Sequence, residues 1–233
     1  MKRLRAVMSP AVLVAAVLLA SCATVNRLER IHLDDPALAS VLEPPPPPSL
    51  DSWYDLSINT HDPIGTVLRV GSSIVLAAEA GKAAERMREA LDQVNVPAMV
   101  HEESAARCAL ALDARRVDDT RDADFVFDLE IEEYGIDAPS WGAAVGLELQ
   151  VTVRLYERRS RDLVWRRHIS VVKRASPDVF GLPSAAERIF TAAMLASLST
   201  EEMVRGFEYL AHYASRVVGD TLERDLWDAR GGW

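Results

Sequence analysis

Three stretches in the middle of the chain alternate apolar and polar residues with a period of two. Phe125, Phe127, Leu129 and Ile131 alternate with Val126, Asp128, Glu130 and Glu132. Val145, Leu147, Leu149, Val151, Val153 and Leu155 alternate with Glu148, Gln150, Thr152, Arg154 and Tyr156, and Leu163, Trp165, Ile169 and Val171 mark a third run. Such alternation places one face of a strand in a core and the other in water. The connections, Pro139 to Gly142 and Glu157 to Asp162, are short and polar, so the three runs predict an antiparallel meander.

On either side the period changes to that of a helix. Ala77, Ala80, Ala84, Met87, Leu91 and Val94 recur at spacings of three and four, predicting a helix within about Pro63–Asn95. Its early part, 66–76, reads equally as strand. A second helix is expected over about Glu102–Arg115, carrying Cys108, Leu110 and Leu112. Near the C-terminus Ser184 with Glu187 and Ser199 with Glu202 fit capping boxes, so a helical pair is expected there. After the second box, Met203, Phe207, Leu210, Ala214, Val217 and Leu222 trace an apolar stripe. The expected fold class is therefore α+β: a meander of at least three strands packed on helices, closed by a C-terminal helical pair.

The first 60 residues follow other rules. Lys2, Arg3 and Arg5 precede an apolar run of about 15 residues, Ala6–Ala20, shorter than the roughly 20 a membrane span needs. A positive start, a short apolar run and small residues describe an export signal. Its end, Leu19-Ala20-Ser21-Cys22, resembles the lipobox of bacterial lipoproteins. That resemblance implies cleavage before Cys22, diacylglycerol on its thiol and an acyl chain such as palmitate on its amine, which together anchor stably. Ala23 follows the cysteine where retention at the inner membrane typically takes Asp. The resemblance thus implies an outer-membrane anchor facing the periplasm rather than the inner membrane. Residues 1–21 read as signal peptide, 22–60 as lipidated cysteine and tether, and 61–233 as one periplasmic domain. The tether includes Pro44 to Pro48, an extended polyproline spacer.

Charge and cysteine usage narrow the partners. Removing Lys2, Arg3 and Arg5 from 26 basic residues leaves 23 against 35 acidic ones, a net charge of −12. That balance disfavours nucleic acid. Cys108 has no second cysteine to pair with once Cys22 carries lipid, and is expected buried on its helix. The standard catalytic motifs do not occur. Gly71-Ser72-Ser73 lacks the glycine of a nucleophile elbow, and His101-Glu102-Glu103 is followed by Ala105 where a zinc site needs histidine. No catalytic or metal-binding residue is assigned, no cofactor is expected beyond the lipid on Cys22, and the chain is expected not to be an enzyme. Charge is locally uneven: Arg154, Arg158, Arg159, Arg161, Arg166 and Arg167 crowd one hairpin, and Asp124, Asp128, Glu130, Glu132 and Glu133 crowd the strand before it. One reading is cross-strand pairing plus a solvated turn. The other takes these six arginines as a candidate anion- or partner-binding tip, because guanidinium groups fork onto carboxylates and phosphates.

Ala123-Asp124-Phe125-Val126-Phe127, the long alternating strand and Leu163-Val164-Trp165-Arg166 together resemble periplasmic envelope-assembly lipoproteins. Those of lipopolysaccharide assembly, curli secretion and penicillin-binding-protein activation share this look over about 65–175. The turn Glu157-Arg158-Arg159-Ser160-Arg161 stands where their Asp-x-x-Thr-Gly turn would be, and no site residue carries over. The resemblance implies a binding or assembly factor in the cell envelope with a protein partner. The alternative is a lipid- or glycolipid-binding module using an apolar groove between sheet and helices, gated by the arginine hairpin.

Overall fold

The computed structural model describes residues 24–45, 74–137, 144–183 and 190–231. The lipobox with Cys22, residues 66–73, and Ser184 with Glu187 lie outside them. Six strands form one mixed sheet: β1 (Val25–Asn26), β2 (Ala37–Leu42), β3 (Arg115–Arg116), β4 (Phe125–Asp137), β5 (Gly146–Glu157) and β6 (Leu163–Arg174), in spatial order β1-β6-β5-β4-β2-β3. The meander β4-β5-β6 is antiparallel throughout. Around it are α1 (Ile74–Gln93), α2 (Val96–Ala111), the short α3 (Ala192–Leu195) and the long α4 (Thr200–Ala229). The α+β class and the long C-terminal helix read from the sequence are present; the helix expected to open at Ser184 begins outside the described residues.

The expected tether over 22–60 is corrected in its first half. Residues 25–42 belong to the sheet: β1 pairs antiparallel with β6, and β2 lies between β3 and β4, parallel to both. In β2 three successive residues, Ala37, Leu38 and Ala39, are buried, so the two-residue alternation that reveals half-exposed strands is lost there. Pro44 and Pro45 follow β2 after one residue, Glu43, so the proline run stands between the sheet and α1 in chain order rather than between the lipid site and the first strand.

Two register shifts explain irregularities in the pattern. Between β4 and β5 the pairing slips at Ile131/Glu133, so Glu132 and Glu133 share one face and Tyr134 and Ile136 return to the core. Between β5 and β6 it slips at Leu155/Tyr156, where adjacent Val164 and Trp165 are both buried.

The helical layer covers one face. Leu147, Leu149, Val151, Val153 and Leu155 on β5 and Phe127 and Leu129 on β4 are fully buried, as are Leu210, Ala214, Val218 and Leu222 of α4. The stripe on α4 is centred on Val218, with Val217 partly buried at its margin. The capping box at Ser199 and Glu202 is formed in both directions. α2 starts six residues before the sequence expectation because the Asn95 side chain accepts from the Ala98 N–H at 3.1 Å, and Pro97 suits a first turn. Cys108 is buried on it, and burial pushes its thiol pKa well above the ordinary range, which suppresses thiolate chemistry.

Gly206 of α4 sits against the ring of Phe180, which stacks on Phe190 with centroids 4.6 Å apart. A Cβ at 206 would collide with Phe180 Cε1 and stand 2.7 Å from Cδ1. A buried ring cannot swing away as a flexible side chain would. Gly206→Ala is therefore expected to lower stability by about 1–2 kcal/mol, overpacking outweighing the gain of about 1 kcal/mol in helix propensity. A urea melt of the variant checks it; an unchanged midpoint would mean that Phe180 relaxes freely.

Candidate functional site

The strand pleat divides the six hairpin arginines among different environments. Arg154 points to the sheet face opposite the helices. Its Nη1 donates to Asp128 Oδ2 at 2.9 Å and reaches Glu43 Oε1 at 3.5 Å, and its Nη2 donates to Glu130. Those three carboxylates come from β4 and the end of β2, so Arg154 joins strands rather than waiting for a ligand. Further along this face Thr152 Oγ1 donates to Glu132 Oε1 at 2.5 Å, and His168 Nδ1 lies 3.2 Å from the same oxygen. Gln150 donates to Glu133 at 2.9 Å.

Arg167 lies on the other face. Its Nε and Nη2 donate to the Asp225 carboxylate at 2.6 and 2.8 Å, and the indole N–H of fully buried Trp165 donates to the same carboxylate at 2.7 Å. Burial pushes the Asp225 pKa up, but hydrogen bonds from Arg167 and Trp165 and the charge of Arg167 outweigh it, holding the carboxyl below its ordinary value. Two of the six candidates, Arg154 and Arg167, are thus bound within the fold on opposite faces.

The other arginines lie closer to the turn. Arg158 donates through Nε to the Ala123 carbonyl at 2.5 Å, and its backbone N–H to the Asp124 carbonyl at 2.8 Å, closing the end of the hairpin onto the entry to β4. Arg166 faces away from the helices, opposite Arg154 on β5 and Val25 on β1. Arg159 and Arg161 make no side-chain hydrogen bond or ion pair among the described residues. Arg161 has φ +62°, the left-handed conformation that closes this turn.

These two free guanidinium groups flank the hairpin tip on different sides. Arg159 lines a cleft of about 330 Å³ with Arg27, Arg30, His32, Asp34 and Phe125. Arg161 lines an open groove of about 520 Å³ with Arg158, Arg121 and Tyr156. The cleft adds residues that the sequence reading assigned to the tether: Arg27 and Arg30 arrive because β1 and the turn after it pack beside β6. Between β5 and α4 the space is occupied by the buried side chains named above.

In the run His101-Glu102-Glu103 both glutamates have internal partners, while Nε2 of His101 is buried without a hydrogen bond among the described residues. Glu102 takes both Nη groups of Arg116, at 2.6 and 2.9 Å, and Glu103 lies 2.6 Å from His212 Nδ1. Burial lowers the pKa of His101 beside them. Among the described residues no group of three or more His, Cys, Asp or Glu is placed to hold a metal ion, and no helix is long and apolar enough to cross a membrane.

No family model and no curated protein matches the chain. Several solved structures share part of its outline. Protein XCC0632 from Xanthomonas campestris, of family-model DUF330, is 15% identical at a TM-score of 0.32, the match covering 50% of this chain and 54% of that one. The chain thus matches about half the length of that protein. The PelC dodecamer from Paraburkholderia phytofirmans is 13% identical over 77% of this chain and 90% of that one, at a TM-score of 0.25. The hypothetical protein CT253 from Chlamydia trachomatis is 13% identical over 76% and 98%, at 0.24. Overlaps this loose say nothing about chemistry.

Proposed function

We propose that the chain is a lipid-anchored factor of the bacterial cell envelope, non-catalytic, that binds a protein partner through its arginine hairpin from the periplasmic side of the outer membrane. The lipobox Leu19-Ala20-Ser21-Cys22 carries the address. The surface reading rests on Arg159 and Arg161, two free cations at one tip, each beside an open cleft. An acidic side chain or a phosphate supplies the complementary fork. The competing reading, a lipid or glycolipid bound in a sheet–helix groove, has less support because β5 and α4 fill that space.

The test has two arms. Palmitate labelling should mark the full-length chain in its own membranes, and Cys22→Ser should abolish the label and release the protein from the membrane fraction. An unlabelled wild-type chain would end the anchor reading. In the second arm, mild-detergent purification followed by mass spectrometry identifies the bound partner. Arg159→Ser with Arg161→Ser should weaken its binding by about tenfold or more. Arg158 is retained because it closes the hairpin. Unchanged binding would remove the tip from the interface.

A further inference from the structure

We infer that the β1–β6 edge of the sheet, together with the C-terminal end of α4, lies against the lipid headgroups. This inference rests on lipidation of Cys22 and extends it to the orientation of the whole domain. Its basis is the shortness of the connection. Val25 is already paired with Arg166, and the Arg27 N–H donates to the Val164 carbonyl at 2.8 Å. The Asn26 side chain donates to the Asp225 carbonyl of α4 at 3.2 Å, and Leu28 is fully buried. The chain is therefore fixed from Val25 onward, and Cys22 stands only three residues before it, at most about 11 Å of extended backbone. A spacer of that length cannot hold a domain away from its anchor, nor let it tumble freely.

The surface brought to the membrane suits it. Trp227, two residues beyond the contact with Asn26, is 58% exposed. An exposed tryptophan is unusual on a surface facing only water and typical of the headgroup boundary. Arg224 and Arg230 are exposed on the last turns of α4 together with Glu223 and Asp228, so this end is near neutral in a chain whose bulk charge is strongly acidic. The acidic bulk favours facing away from anionic headgroups, whereas the near-neutral end of α4 meets them without that repulsion. At the other edge, β3 lies five strand spacings from β1, roughly 24 Å.

Site-directed spin labelling of the full-length lipidated protein in phosphatidylethanolamine–phosphatidylglycerol vesicles tests this. Labels replace Trp227 (Trp227→Cys) at the near edge and Arg115 (Arg115→Cys) at the far edge; both side chains are exposed, and Cys108 is buried. The label at 227 is expected to be several-fold more accessible to oxygen than to a water-soluble nickel chelate, and the label at 115 the reverse. Inserting ten Gly/Ser residues between Ala23 and Thr24 should return position 227 to the aqueous pattern. An aqueous pattern at 227 in the lipidated, uninserted protein overturns the inference, as does shielding from both reagents, which would place a protein on this edge. Mass spectrometry of the same sample keeps the outcomes distinct. Absence of lipid on Cys22 overturns the anchor reading itself, whereas a lipidated protein with a water-exposed 227 overturns only the orientation.

Discussion

Asp225→Ala is expected to cost about 3–5 kcal/mol, because it leaves the Arg167 guanidinium partly buried without its counter-charge. The Trp165 indole N–H also loses its acceptor inside the core. For a domain of this size that lowers the melting temperature by roughly 10 °C. The two losses are separable. Adding Arg167→Leu removes the orphaned charge and should recover part of the deficit, leaving about 1–3 kcal/mol for the unsatisfied indole N–H. The pH dependence has a defined sign. A carboxyl whose pKa is depressed on folding contributes stability above its unfolded value, about 3.9, and loses it as pH falls through that value and the lower folded one. The difference between the wild type and Asp225→Asn should thus be largest near neutrality and shrink below about pH 4. Urea melts at pH 7 and pH 3 measure it, and a gap that widens in acid would contradict the assignment of charge to this site.

The place of Asp225 illustrates what was legible. It falls on the apolar stripe of α4, next to Leu226 and three residues after Leu222, where a carboxylate is buried and needs a partner. Its partner was equally open to parity. Trp165 and Ile169 point to the helices, so Arg167 between them must as well, whereas Arg154 and Arg166 point away. Counting six arginines as one patch overlooked that alternation. The meander and the α4 cap were readable because each is a local pattern: a period of two, or a serine three residues before a glutamate. The cleft was not, because Arg27 and Arg30 reach Arg159 only through pairing across more than 130 residues of chain. No local rule encodes that. The start of α2 was readable in principle from Asn95 and Pro97, but weak amphipathicity there hid the helix, since both the sheet side and the α4 side of it are covered.

Removing residues 24–43 should abolish cooperative folding, the largest effect expected of any change to this chain. If the segment were a tether, its loss would leave the domain intact. As part of the sheet it supplies fully or nearly buried Leu28, Leu38 and Ala39, and it covers the edge of β4 from Phe125 to Leu129. It also satisfies polar groups on its neighbours. The Val117 N–H donates to the Leu38 carbonyl at 2.9 Å, the Asp124 N–H to the Ala37 carbonyl at 2.8 Å, and the Asp124 carboxylate accepts from the Ala37 N–H at 3.1 Å. Deletion would expose an apolar strand edge, an invitation to aggregation. Leu38→Ala provides a graded version, with an expected loss of about 2–5 kcal/mol. Both variants are best compared in a Cys22→Ser background, by circular dichroism on heating and by light scattering. A deletion variant that melts cooperatively at the wild-type temperature would return residues 24–43 to the tether. Loss of the transition together with the graded deficit of Leu38→Ala fixes the beginning of the fold at β1, and with it the three-residue distance to the lipid that orients the domain on its membrane.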